Sequence, residues 1–94
     1  MSEPIPSGEA RNVRLKRLHM RSMRRGIKEM DIILMRFSAI ELEKLSDAEL
    51  DEYDAVLSQN DQDLYQWVSG QMPAPAPLAP MIARIARVSD EAMG

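Results

Sequence analysis

A small all-α protein, a bundle of five helices, is the fold class this chain predicts, and three observations carry that reading. Apolar residues recur at helical spacing in five separate segments. Cap and turn signals stand between those segments. Strand-like alternation, hairpin signals and internal repeats do not appear. Ninety-four residues make one domain, of a size that buries about 60–65% of its unfolded surface. With 45% hydrophobic and 29% charged residues the composition is that of a globular protein. Only Phe37, Tyr53, Tyr65 and Trp67 are aromatic, so the core must rest on Leu, Ile, Val and a large set of eight Met. Methionine adapts to irregular surfaces, which suggests that some of the eight belong to an interface.

Residues 1–10, with Pro4, Pro6 and Gly8 and no apolar period, read as a disordered tail. The helical domain follows over 11–90. Its first helix is expected over Asn12–Arg25, with a narrow stripe of Leu15, Leu18, Met20 and Met23 that suits a peripheral position. Gly26 is expected to end it, because glycine takes positive φ cheaply at a helix C-terminus. That would place Arg24 and Arg25 in its last turn and Glu29 in the first turn of the second helix, which suits both dipoles. The second helix reaches to about Leu45. Ile27, Met30, Ile33, Leu34, Phe37 and Ile40 form one face, and Ile32 and Met35 extend the apolar surface almost fully round, so this helix is expected at the centre of the bundle.

Ser46-Asp47-Ala48-Glu49 is a capping box, and Leu45 and Leu50 complete a hydrophobic staple. The third helix then runs to about Ser58 with Leu50, Tyr53, Val56 and Leu57 inward. Asn60 caps the fourth, which buries Leu64, Trp67 and Val68 and stops at Gly70. Pro73-Ala74-Pro75-Ala76-Pro77 reads as a stiff extended connector. Pro80 opens a fifth helix with Met81, Ile82, Ile85 and Val88 inward, and the end, from Ser89 through 91–94, is expected to fray.

The chemistry that is missing narrows the function. No cysteine is present, which excludes disulfides, thiol catalysis and Cys-ligated metals. His19 is the single histidine, without an evident carboxylate to orient it, and the acids do not match a calcium loop. No Gly-rich phosphate loop exists, so catalysis by this chain alone is not expected. The longest apolar run, Ile32–Met35, is far too short for a bilayer, and the first ten residues resemble neither a signal nor a transit peptide.

Charge is strongly segregated beneath a net value of −3. Eight Lys/Arg and no acid fall between Arg11 and Lys28, whereas nine acids and only Lys44 fall between Glu41 and Asp63. This predicts a molecule basic at one end and acidic at the other, a polarity that steers association. The basic segment makes nucleic-acid binding the rival function, as a helix, a glycine turn and a second helix mimic a helix-turn-helix. The would-be recognition helix is too apolar for a groove, however, and the pI near 5.1 weighs the same way.

Arg25-Gly26-Ile27-Lys28-Glu29 resembles the Arg-Gly-x-x-Glu signature of the small succinate dehydrogenase assembly factors, the flavinylation chaperones. Ser22 and Arg24 before the glycine, Asp31 after the glutamate, and Asp63-Leu64-Tyr65-Gln66-Trp67 are similar to that family's pattern as well. One departure is the absence of an aromatic near Met20 or Arg21. The resemblance implies a five-helix protein that binds the flavoprotein subunit of succinate dehydrogenase, and in some bacteria that of fumarate reductase. It implies that the protein promotes covalent attachment of FAD to a histidine of that subunit. FAD would belong to the partner, with no cofactor held stably by this chain, and neither nucleic acid nor membrane would be bound. Carried over by position, Arg25, Gly26 and Glu29 form the partner-binding motif, supported by Arg24 and Asp31. The location implied is the cytoplasm for a bacterial source and the mitochondrial matrix for a eukaryotic one.

Overall fold

The computed structural model describes residues 10–93, with side chains as far as Glu91. Five helices follow one another: α1 (Arg11–Arg21), α2 (Lys28–Glu41), α3 (Asp47–Leu57), α4 (Asp61–Val68) and α5 (Ala79–Met93). A short 3-10 turn (Leu42–Lys44) extends α2, and no strand occurs among the described residues. The all-α expectation therefore holds, whereas the expected tail over residues 1–9 lies outside the described residues.

One face of α2 supplies the middle of the core. Met30, Leu34 and Phe37 are buried there, against Leu50, Tyr53 and Val56 of α3 and Ile85 of α5. The Phe37 and Tyr53 rings lie 5.2 Å apart in a tilted arrangement, a geometry that favours aromatic pairs beyond their buried area. The expectation that α2 is covered nearly all round is corrected: Ile32, Met35 and Ile40 are each 44% exposed. Its second apolar face is open. The methionines divide accordingly, with Met30 and Met81 buried and Met20, Met23, Met35 and Met72 exposed.

The caps form as their chemistry requires. Ser46 Oγ accepts the Glu49 amide at 3.1 Å, and Glu49 Oε1 accepts the Ser46 amide at 2.8 Å. That backbone N–H, and after it the Arg84 guanidinium, holds the Glu49 carboxyl below its usual range. Arg84 of α5 donates to Glu49 and to Glu41 at 2.9 Å each, tying three helices together. Asn60 Oδ1 accepts the Gln62 and Asp63 amides, and Gly70, at φ 85°, follows the end of α4. The proline connector is not extended throughout. The Pro75 carbonyl accepts the Leu78 and Ala79 amides at 2.9 Å, so the chain is already turning before α5 begins. At the end that was expected to fray, Ser89 is buried and α5 continues to Met93, while Gly94 lies outside the described residues. Trp67 is half-buried rather than buried, lying at the side of the core.

Tyr53 gives the core a measurable pH dependence. Ser22 Oγ gives its proton to the Leu18 carbonyl at 2.7 Å, so the Tyr53 hydroxyl, 2.6 Å from Ser22 Oγ, donates to it. Burial pushes the phenol up from 10.0 to about 12, although Ser22, Arg25 and Arg21 oppose the shift. The unfolded chain then loses this proton before the folded one does. Stability should be fully present below pH 10 and fall as pH rises toward 12, by on the order of 2–3 kcal/mol. Urea unfolding across that interval should show the decline, and Tyr53→Phe should remove it. An equal decline in that variant would assign the effect to other groups.

The segregated charge does not produce the expected dipole. α1 and α3 run in the same direction, and the arginines of the first reach the aspartates of the second. Arg11 pairs with Asp47 at 2.9 Å, Arg14 with Asp51, Arg17 with Asp54 at 3.4 Å, and Arg21 also with Asp54. The basic segment is largely neutralised inside the molecule. Each exposed pair contributes little, about 0–1 kcal/mol, but together they place α1 over α3.

Candidate functional site: the turn between α1 and α2

The geometry of the turn begins at a buried serine. Ser22 caps α1, its amide bonded to the Leu18 carbonyl at 3.1 Å and its hydroxyl held as described by Leu18 and Tyr53. The first helix thus ends at Arg21 instead of reaching Arg25, and Arg24 and Arg25 lie in the turn itself. The reversal is made by Arg24, at φ 57°, and not by Gly26, whose backbone is not left-handed. A left-handed residue with a side chain costs roughly 1–2 kcal/mol. Asp31 Oδ1 offsets part of that by accepting the Arg24 amide at 2.7 Å.

Arg25 turns inward. Its Nε donates to Asp61 Oδ1 at 2.8 Å, Nη1 to the Arg21 carbonyl at 2.9 Å and Nη2 to the Leu57 carbonyl at 3.1 Å. Its side chain is 12% exposed and that of Asp61 16%. The second oxygen of Asp61 accepts the Gly26 amide at 2.5 Å. A Cβ on residue 26 would lie only 3.1 Å from that oxygen, and this close approach is the reason for glycine at a position whose φ does not demand it.

Glu29 stands in the first turn of α2, exposed, with no ionic or hydrogen-bond partner among the described residues. Beyond it along α2, Ile32, Ile33 and Arg36 join Tyr65 of α4 and Glu29 itself around a groove of about 380 Å³. Arg36 has no carboxylate partner among the described residues. The five residues of the expected motif therefore separate. Arg24 and Glu29 are exposed at the turn, Gly26 lies between them, and Asp31 and Arg25 hold the backbone from beneath. Asp61 and Arg36 were not singled out from the sequence, and Tyr65 was named only as one of the aromatics and within the Asp63–Trp67 segment. Asp61 counted there among the nine acids between Glu41 and Asp63, since a pairing with residue 25 depends on tertiary structure alone.

Little else in the molecule offers chemistry. No group of three His, Asp or Glu able to hold a metal ion exists among the described residues. No helix among them is long and apolar enough to cross a membrane. The His19 imidazole has no hydrogen-bond partner among them either.

The sequence pattern of one protein family, described as flavinator of succinate dehydrogenase, matches residues 16–89. The chain belongs to that family. The flavinator match extends from α1 into α5 and includes both the whole turn and Asp61 with the segment that follows it. Among similar proteins, a succinate dehydrogenase assembly factor 2, mitochondrial, from Meyerozyma guilliermondii is 46% identical over 68 residues, covering 71% of this chain and 50% of the relative. Its counterpart from Mycosarcoma maydis is 40% identical over 76 residues, covering 81% of this chain and 32% of the relative. That from Scheffersomyces stipitis is 42% identical over 68 residues, covering 71% and 46%. The chain thus spans half or less of the length of these relatives.

Proposed function

We propose that the chain docks on the flavoprotein subunit of succinate dehydrogenase, and in some bacteria on that of fumarate reductase, and promotes covalent attachment of FAD to a histidine of that subunit. The observation that carries this reading is the unpaired, exposed Glu29 beside an open apolar face, Ile32 and Met35, on a turn held rigidly from beneath. FAD is the partner's, and this chain holds no cofactor of its own. Its contribution is binding energy for the partner conformation in which the flavin and the acceptor histidine are in register, since orientation is worth many powers of ten in rate. The chain works where that flavoprotein is assembled: the mitochondrial matrix in a eukaryotic source, the cytoplasm in a bacterial one. A nucleic-acid interface is disfavoured because Arg11, Arg14, Arg17 and Arg21 are engaged by aspartates. No membrane association is part of this reading, and no helix among the described residues is long and apolar enough to cross a membrane.

The test is Glu29→Ala in cells lacking the native chain, with covalent FAD on the flavoprotein read by in-gel fluorescence. A first-turn carboxylate adds only about 0.3–1 kcal/mol to stability, so the melting temperature should move little. A hydrogen bond to a charged group is worth about 1.5–3 kcal/mol, so complex affinity should fall roughly tenfold or more and labelling with it. Labelling that declines only in step with stability would reduce Glu29 to a helix cap and sink the proposal.

A further inference from the structure

The Arg25–Asp61 pair has the form of a latch and not of an open binding site. The Arg25 guanidinium meets Asp61 Oδ1 at 2.8 Å and the carbonyls of Arg21 and Leu57 at 2.9 and 3.1 Å, with Gln59 O at 3.5 Å. A partner group could reach it only by displacing Asp61, which is itself 16% exposed. The same carboxylate takes the Gly26 amide at 2.5 Å. One side chain of α4 thus fixes the side chain of residue 25 and the backbone of residue 26 together. On the other side of the turn Asp31 takes the Arg24 amide at 2.7 Å and sustains its left-handed backbone. Two aspartates therefore hold the turn in the one conformation that leaves Arg24 and Glu29 exposed on either side of Gly26.

We infer that Asp61 and Arg25 are positioning residues for docking. They preorganise the turn, and the contacts with the flavoprotein are made by Arg24, Glu29 and the exposed backbone at Gly26. This rests on the docking function proposed above. An unlatched turn has to be ordered at the moment of binding, and that ordering weakens affinity without changing what the bound state can do.

The experiment is flavinylation of purified apo-flavoprotein by FAD at increasing concentrations of the full chain. Asp61→Ala should raise the half-maximal concentration roughly tenfold, while the saturating rate stays within about twofold of wild type. Arg25→Ala should do the same, and the double variant should be no worse than the weaker single, because both remove one device. Asp61→Asn, which keeps an acceptor for the Gly26 amide, should fall in between. Effects of the two alanine variants that multiply would overturn the inference, as would a harmless Asp61→Ala beside a damaging Arg25→Ala. Either result would make Arg25 a direct contact. In parallel, hydrogen exchange at the Gly26 amide should accelerate in Asp61→Ala while amides of α3 stay protected. A wild-type chain that fails to stimulate flavinylation would refute the docking function alone, and an unchanged Gly26 exchange rate would refute the latch alone.

Discussion

Replacing Gly26 by arginine is expected to abolish complex formation with the flavoprotein while the five helices remain folded. The backbone at residue 26 accepts a side chain, since its φ is not positive. The obstacle is Asp61, whose Oδ2 would lie 3.1 Å from the new Cβ and now accepts the residue's amide at 2.5 Å. The carboxylate must give way by a few tenths of an ångström, which loosens its hold on Arg25. The rest of the arginine then crosses the exposed surface between Arg24 and Glu29, where a partner would approach. Co-purification with the flavoprotein should be lost, covalent FAD should disappear from the in-gel signal, and circular dichroism should be nearly unchanged. Gly26→Ala, with only the Cβ contact, should keep a substantial part of both. Normal labelling with Gly26→Arg would mean that the turn is only a connector. The docking surface would then have to be sought on the exposed Ile32 and Met35.

The second large effect belongs to the core. Phe37→Ala should cost about 3–5 kcal/mol, because the ring is 1% exposed and packs on Tyr53. For a domain of this size that lowers the melting temperature by roughly 15–30 °C and removes a large part of a total stability of about 5–15 kcal/mol. Trp67→Ala should cost roughly half as much, although tryptophan is larger, because Trp67 is only half-buried and lines a groove with Met72 and Pro73. Urea unfolding of the two variants gives the comparison directly. Equal losses would place Trp67 within the core after all.

Those two aromatics also show where the sequence was legible and where it was not. Phe37 sits in a long helical period whose buried face includes Met30 and Leu34, and local spacing identifies such a face. Ser46 with Glu49, and Asn60 with the first-turn acids of α4, were readable because a cap is completed within four residues. Trp67 lies on a short helix beside the proline connector, and its exposure depends on how far α5 covers it, which no local pattern encodes. The turn was half legible. The motif residues could be named, yet glycine was taken as the reversing residue because its propensity favours that role. The structure puts Arg24 there, held by Asp31. The pairing of α1 with α3 was invisible for the same reason as Asp61: the partners are more than thirty positions apart, and two charged segments read separately suggest opposite poles.

Apart from Arg21 and Asp54, which are 33 positions apart, the separations in that pairing are nearly constant and recur at Arg25. Arg11 and Asp47 are 36 positions apart, Arg14 and Asp51 37, Arg17 and Asp54 37, and Arg25 and Asp61 again 36. The last of these lies beyond the end of α1, so the motif arginine is the final rung of a ladder that begins at Arg11. Adding or removing a single residue between Arg17 and Arg21, within α1, would turn the rest of that helix and the turn it carries by about 100° about the helix axis. The first three rungs would survive and the fourth would miss its aspartate. The length of this stretch is therefore constrained along with its buried side chains. Leu18 and Ser22, which lie between the rungs, are buried and fix the end of α1, yet an insertion or deletion of one residue beside them would disarm the motif without touching any of its letters.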